Sequence, residues 1–130
     1  MQPPKHILVA DDDAPLRFIV CRILGKAGYR LSEASDGRQA HLMVLAANQC
    51  HRPFDLLLLD RAMSFICGGQ LLTELSQLDF CSPILLMSEG MDSPTDSTAG
   101  SPCRGKITKP FTAQMLLDAV AQAILTPELH

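Results

Sequence analysis

Four apolar runs in this sequence each end on a polar side chain that can do chemistry. "HILVA" at 6–10 runs into Asp11, Asp12 and Asp13. "FDLLLLD" at 54–60 stops at Asp60, "PILLMS" at 83–88 stops at Ser88, and the short "GKIT" at 105–108 is followed by Lys109 and Pro110. Carboxylates that converge repel, each raising the others' cost of ionisation. A hard divalent cation relieves that repulsion, and Mg2+ typically uses one or two carboxylates while keeping waters. The ion is then the largest local charge. A lysine and a hydroxyl at the same rim can hold an anion that bridges to the metal. A carboxylate oxygen can also be the nucleophile toward phosphorus, giving an aspartyl phosphate. Chemistry of that kind is mostly positioning and charge neutralisation.

The elements that must bring these groups together are legible in the pattern. The runs at 6–10, 54–60 and 83–88 have the size and composition of buried strands. "YRLSEAS" at 29–35 is a weaker, alternating strand, and "GKIT" a short fifth one. Between them lie helical spacings. Leu16, Val20, Ile23 and Leu24 follow an N-cap at Asp13, with Pro15 in the first turn and Gly28 as the stop. Ala40, Met43, Val44 and Ala47 form a second apolar stripe, Leu71, Leu72, Leu75 and Leu78 a third, and Leu116, Leu117, Val120 and Ile124 a last one capped by Thr112. The "DG" at 36–37 reads as a turn. Strands alternating with helices predict an α/β fold, a doubly wound parallel sheet covered on both faces. Such strands read as continuous apolar runs because neither face meets water. Ligands of open α/β sheets bind beyond the carboxyl ends of the strands, where the strand order reverses. Asp11, Asp12, Asp60, Ser88 and Lys109 all fall at that edge.

Composition narrows the function classes. The chain has 130 residues, 47% hydrophobic and 19% charged, which suits one domain with a real core. A net charge of -3 gives no electrostatic footprint for nucleic acid, so no direct nucleic-acid binding by this chain is expected. The apolar runs are far short of the roughly 20 residues that span a bilayer, so no membrane association is expected. Cys21, Cys50, Cys67, Cys81 and Cys103 form neither a CxxC pair nor an even set, which fits a reducing cytosol. The N-terminus reaches acidic residues too soon for a signal peptide, and a cytoplasmic location is expected.

In this arrangement the sequence resembles a response-regulator receiver domain. The acidic pair Asp11-Asp12 after the first strand, Asp60 ending the third, Met63 and Gly68 in the following loop, Ser88 ending the fourth and "KPF" at 109–111 match that family's pattern in order. The resemblance implies a flavodoxin-like five-stranded sheet of order 2-1-3-4-5. It implies a receiver domain over 1–125, with 126–130 as a C-terminal tail or linker stub. It implies that Asp12, Asp60 and the backbone carbonyl of Ala62 ligate Mg2+ directly, with Asp11 acting mainly through a coordinated water. Asp60 would be the phosphoacceptor, taking its phosphoryl group from a histidine kinase or phosphotransfer protein. Lys109 would pair with the phosphoryl oxygens, Ser88 would move to hydrogen-bond one of them, and the Lys109–Pro110 bond would be cis. That movement would switch a surface read by a downstream effector protein or domain. The chain would then be a signalling switch and not a conventional enzyme.

Some positions depart from the family's pattern. Ser64 and Cys67 replace proline and aspartate in the loop after the third strand. Glu89 stands where alanine or glycine is preferred, and Lys106 where an aromatic residue couples site to output; both are candidate modulators. The stretch 91–105, "MDSPTDSTAGSPCRG", lacks an apolar stripe and carries two prolines and two glycines. It predicts a helix between the fourth and fifth strands that is short or missing, replaced by a mobile polar loop. These departures favour an alternative, a degenerate receiver acting as a phosphorylation-independent interaction module. A third reading is a Mg2+-dependent phosphohydrolase with its nucleophile in "DDDA" at 11–14; it leaves Asp60 without a role.

Overall fold

The computed structural model describes residues 3–63, 70–78, 82–89 and 103–125. In chain order the elements are β1 (His6–Ala10), α1 (Ala14–Lys26), β2 (Arg30–Ala34), α2 (Gly37–Gln49), β3 (Leu56–Asp60), α3 (Gln70–Ser76), β4 (Ile84–Glu89), β5 (Cys103–Lys109) and α4 (Ala113–Leu125). The five strands form one sheet of order β2-β1-β3-β4-β5, and each neighbouring pair is parallel. The sheet order and the α/β alternation are those expected.

The leucines of β3 explain why this strand lies at the centre. Leu56, Leu57, Leu58 and Leu59 are all fully buried, and they alternate between two cores. Leu57 and Leu59 pack with Leu8, Leu86 and residues of α2 and α3, among them Val44, Leu71 and Leu75. Leu56 and Leu58 pack with Ile7, Val9, Met87 and residues of α1 and α4, among them Val20, Leu24, Leu116 and Val120. A strand sandwiched in this way has no solvent face to spend on polar residues. Each leucine so placed contributes about 1.5–3 kcal/mol of apolar burial.

The helix ends follow the local chemistry. Asp13 caps α1 by accepting the Leu16 N–H at 3.1 Å. Gly28 closes the helix at φ 101, a backbone conformation that glycine adopts without a Cβ clash. Thr112 caps α4 by accepting the Met115 N–H at 3.1 Å. The "DG" pair does more than turn the chain: Asp36 is the N-cap of α2, accepting the Gln39 N–H at 2.7 Å.

Two expectations need adjusting or restricting. The loop expected over 91–105 is too long at its end, because Cys103, Arg104 and Gly105 already belong to β5, with Cys103 and Gly105 paired to Ile84 and Leu85 and Arg104 at the register shift between them. A strand is defined by its main-chain ladder, which three residues of weak apolar character can join. The helix expected to be short or missing between β4 and β5 falls on residues 90–102, outside the described residues. The tail 126–130 and the loop residues Ser64, Cys67 and Gly68 lie outside them too.

Candidate functional site

The chain leaves β1 for β2 on one side and returns to β3 on the other, so the strand order reverses between β1 and β3. That reversal opens the crevice at which α/β sheets hold ligands. Asp11 follows the last residue of β1, Asp60 is the last residue of β3, and Ser88 and Lys109 end or nearly end β4 and β5. Asp11 is 0%, Asp60 4% and Ser88 2% exposed. Asp12 is exposed at the rim. The structure brings Asp11, Asp12 and Asp60 together: one carboxylate oxygen from each lies within 4.8 Å of the others.

Lys109 reaches into this group. Its Nζ lies 3.3 Å from Asp60 Oδ1 and 3.5 Å from Asp11 Oδ2. Burial works against its ammonium, but Asp11 and Asp60 outweigh burial and raise its pKa. The Lys109–Pro110 peptide bond is cis. Asp60 Oδ1 also accepts the Ala62 N–H at 3.2 Å, which places Ala62 at the mouth of the site. Asp11 Oδ1 accepts the Asp13 N–H at 2.9 Å. Its Oδ2 and the hydroxyl of Ser88 are buried without a hydrogen-bond partner among the described residues. Buried polar atoms left in this way are costly, and a bound ion or ligand is one way of completing their bonding.

The donor set suits a hard cation. Three carboxylates face one ammonium, and the surplus charge is negative. Burial first, and the neighbouring Asp60 carboxylate in addition, push the Asp11 pKa from 3.8 up to about 6, against the opposing pull of the Asp13 N–H and Lys109. Asp11, Asp12 and Asp60 supply the oxygen ligands that Mg2+ prefers.

Comparison with known proteins decides the family. Residues 7–121 match the family described as response regulator receiver domain. The chain belongs to the response-regulator receiver domains. This receiver domain is 31% identical over 121 residues to the chemotaxis protein CheY of Bacillus subtilis, covering 92% of this chain and 97% of that protein. It is 31% identical over 116 residues to the phosphate regulon transcriptional regulatory protein PhoB of Pseudomonas aeruginosa, covering 87% of this chain and 48% of that protein. The chain thus spans about half the length of PhoB and of the response regulator GtcR of Aneurinibacillus migulanus, at 48% and 46%. Among solved structures it resembles the chemotaxis response regulator CheY4 of Vibrio cholerae, with TM-score 0.76 and 27% identity over 92% of this chain and 98% of that one. Among the described residues no helix is long and apolar enough to cross a membrane.

The two candidate modulators sit on the strands beside the site. Glu89 is the last residue of β4, in register with Lys109 across the ladder, and Lys106 is exposed on β5, in register with Leu86. One residue that sequence reasoning missed is Arg17. Its Nη1 donates to the main-chain carbonyl of Asp11 at 2.6 Å. The available signal was an arginine six positions after Asp11, one turn into a helix that starts beside the acids.

The raised pKa of Asp11 has a measurable consequence. With the group's ordinary pKa of 3.8 in the unfolded chain and about 6 in the fold, the folded state holds more protons between those values. Stability without divalent cations therefore falls as pH rises through that window. Asp11→Asn is expected to remove this slope and to stabilise the metal-free protein at pH 7 by on the order of 1–2 kcal/mol, the lower part of what such a shift can supply at a partly open rim. Urea unfolding at about pH 4.5, inside the window, and at about pH 7, above it, reads both effects. A variant less stable than the wild type at pH 7 would contradict the electrostatic account.

Proposed function

We propose that this receiver domain is a phosphoacceptor switch, with Asp60 as the residue that takes the phosphoryl group. The observation that carries the reading is the convergence of Asp11, Asp12 and Asp60 around Lys109, with Asp11 Oδ2 and Ser88 Oγ buried and lacking hydrogen-bond partners. The donor is the phosphohistidine of a histidine kinase or of a phosphotransfer protein. An Asp60 carboxylate oxygen attacks phosphorus, the P–N bond breaks, and its electron pair stays on the imidazole, which takes a proton from water. Asp12, Asp60 and the Ala62 carbonyl would hold Mg2+, with Asp11 beside them adding negative charge to the same site. Mg2+, when present, supplies the positive charge that lets a dianionic group approach the carboxylates. Lys109 pairs with a phosphoryl oxygen after giving up part of its contact with Asp60. The Ser88 hydroxyl, which lacks an acceptor or donor in the resting state, hydrogen-bonds another. The moved hydroxyl then biases a surface that a downstream effector protein or domain reads. The chain acts in the cytoplasm as a switch that assists its own phosphorylation and dephosphorylation, not as a turnover enzyme.

The test is incubation with acetyl phosphate and MgCl2, followed by intact-mass spectrometry and site mapping. Mg2+-dependent phosphate on Asp60 is expected. Phosphate on Asp11 or Asp12 would overturn the assignment. Absence of any uptake would leave the fold serving as a phosphorylation-independent interaction module, a reading that Glu89 and Lys106 favour.

Glu89 bears on the rate. Its backbone is in register with Lys109, and a glutamate there adds a negative charge on the strand edge where the acids gather. Like charges a few Å apart and partly shielded from water cost on the order of 1 kcal/mol, or roughly tenfold in rate. Glu89→Ala should take phosphate from acetyl phosphate about tenfold faster. An unchanged or slower rate, measured under the same Mg2+ concentration, would count against this role.

A further inference from the structure

The turn that carries the two amino-terminal acids is gripped from outside the pocket. Arg17 Nη1 donates to the Asp11 carbonyl at 2.6 Å, and Arg17 Nε donates to Glu33 Oε1 at 3.0 Å. The arginine side chain is 18% exposed and that of Glu33 53%. Glu33 lies on β2 in register with Val9, two residues before Asp11. Several other polar groups of this turn are committed as well. The Asp11 N–H donates to the Ala34 carbonyl at 3.1 Å, Asp11 Oδ1 accepts from Asp13, and Asp13 caps α1. Asp11 Oδ2 is the one oxygen of this residue that faces the pocket without a hydrogen bond.

The Asp11 carbonyl and the Asp12 N–H belong to one planar peptide unit. Its orientation sets ψ of Asp11 and φ of Asp12, and so the direction in which both carboxylates leave the chain. A guanidinium is a rigid planar fork, so two simultaneous contacts fix its plane as a single ammonium contact would not. Arg17 therefore holds the peptide plane, and Glu33 holds Arg17.

We infer that Arg17 is a positioning residue for the divalent-cation site, acting through the Asp11–Asp12 peptide, with Glu33 orienting its guanidinium. The inference rests on the reading that Asp11, Asp12 and Asp60 hold Mg2+. Groups that orient metal ligands without touching the metal are worth about 10–100-fold in affinity. Arg17→Ala is expected to weaken Mg2+ binding about tenfold. Arg17→Lys keeps the charge without the fork and restores only part of the loss. Glu33→Gln removes a half-exposed ion pair and costs a factor of about two to five.

The experiment titrates MgCl2 into the whole chain and follows affinity by calorimetry, with urea unfolding measured on each variant. Val20→Ala, on the buried face of α1 and away from the turn, serves as the control for general destabilisation. Weaker Mg2+ binding in Arg17→Ala with unchanged binding in Val20→Ala is the expected result. Equal affinities in Arg17→Ala and wild type, or the same loss in Val20→Ala, would overturn the inference. If Arg17→Ala does not fold, Arg17→Lys and Glu33→Gln carry the test, and wild-type affinity in both would overturn it. Wild-type protein that binds no Mg2+, or binds it equally well after Asp60→Asn, would overturn the metal reading itself and be distinguishable from a failure at Arg17.

Discussion

Asp60→Asn is expected to abolish Mg2+-dependent phosphorylation, a loss on the order of 10³-fold or more, the scale seen when a covalent nucleophile is removed. Asparagine has nearly the same shape as aspartate, and its Oδ1 can still accept the Ala62 N–H that Asp60 accepts at 3.2 Å. What it lacks is a negatively charged oxygen to attack phosphorus. The variant should fold, because one of three mutually repelling carboxylates has gone. It should also bind Mg2+ more weakly, having lost an anionic ligand. Intact-mass spectrometry after acetyl phosphate treatment reads the chemistry, and a urea melt reads the fold. Phosphate retained by a folded Asp60→Asn protein would move the acceptor to Asp11 or Asp12 and revive the reading that places the nucleophile on the first strand.

The reason Asp60 could be singled out from sequence is physical. A charge at the end of four buried leucines must have a partner, and the switch-point rule says where partners gather. Strand positions were legible for the same reason: β1, β3 and β4 are buried on both faces, so apolar runs mark them, whereas the sheet order came from the family resemblance alone. β2 is a sheet edge with Arg30 and Glu33 exposed, and its pattern was correspondingly weak. The start of β5 was not legible, because Cys103 and Gly105 join through main-chain pairing to Ile84 and Leu85, with a register shift at Arg104 between them. Asp36 was read as a turn residue because a cap and a turn use the same side-chain chemistry. Arg17 escaped notice because its partner is a carbonyl, and every residue has one. Side-chain types name the acids and the lysine; which backbone groups hold them is settled only by the folded path of the chain.

Removing the lysine should show how much the pocket depends on it. Lys109→Met keeps an unbranched stem of similar reach and deletes the charge. The ammonium sits 3.3 Å from Asp60 Oδ1 and 3.5 Å from Asp11 Oδ2, and both acids are nearly or wholly buried. Breaking a buried pair by removing one partner typically costs 3–5 kcal/mol, because a buried charge is left uncompensated. The site opens at its rim toward exposed Asp12, so the expected cost here is about 2–3 kcal/mol at pH 7, a large part of a small domain's total. The pH dependence has a definite sign. Without the lysine, the Asp11 pKa in the fold rises above its already elevated value of about 6, while the unfolded value stays near 3.8. The folded state then binds more protons over a wider window, so stability is present at low pH and lost as pH rises through the folded pKa. The deficit relative to wild type should shrink by pH 4.5 (roughly one unit above the unfolded pKa), where Asp11 is protonated in the fold. MgCl2 should stabilise the variant at pH 7 by about 1.4 kcal/mol at ten times the variant's own dissociation constant. Urea midpoints at the two pH values, with and without MgCl2, measure all three effects. A Lys109→Met midpoint equal to wild type at pH 7 without Mg2+, or a deficit that persists undiminished at the lower pH, would mean that the two aspartates do not share the lysine's charge as their distances indicate.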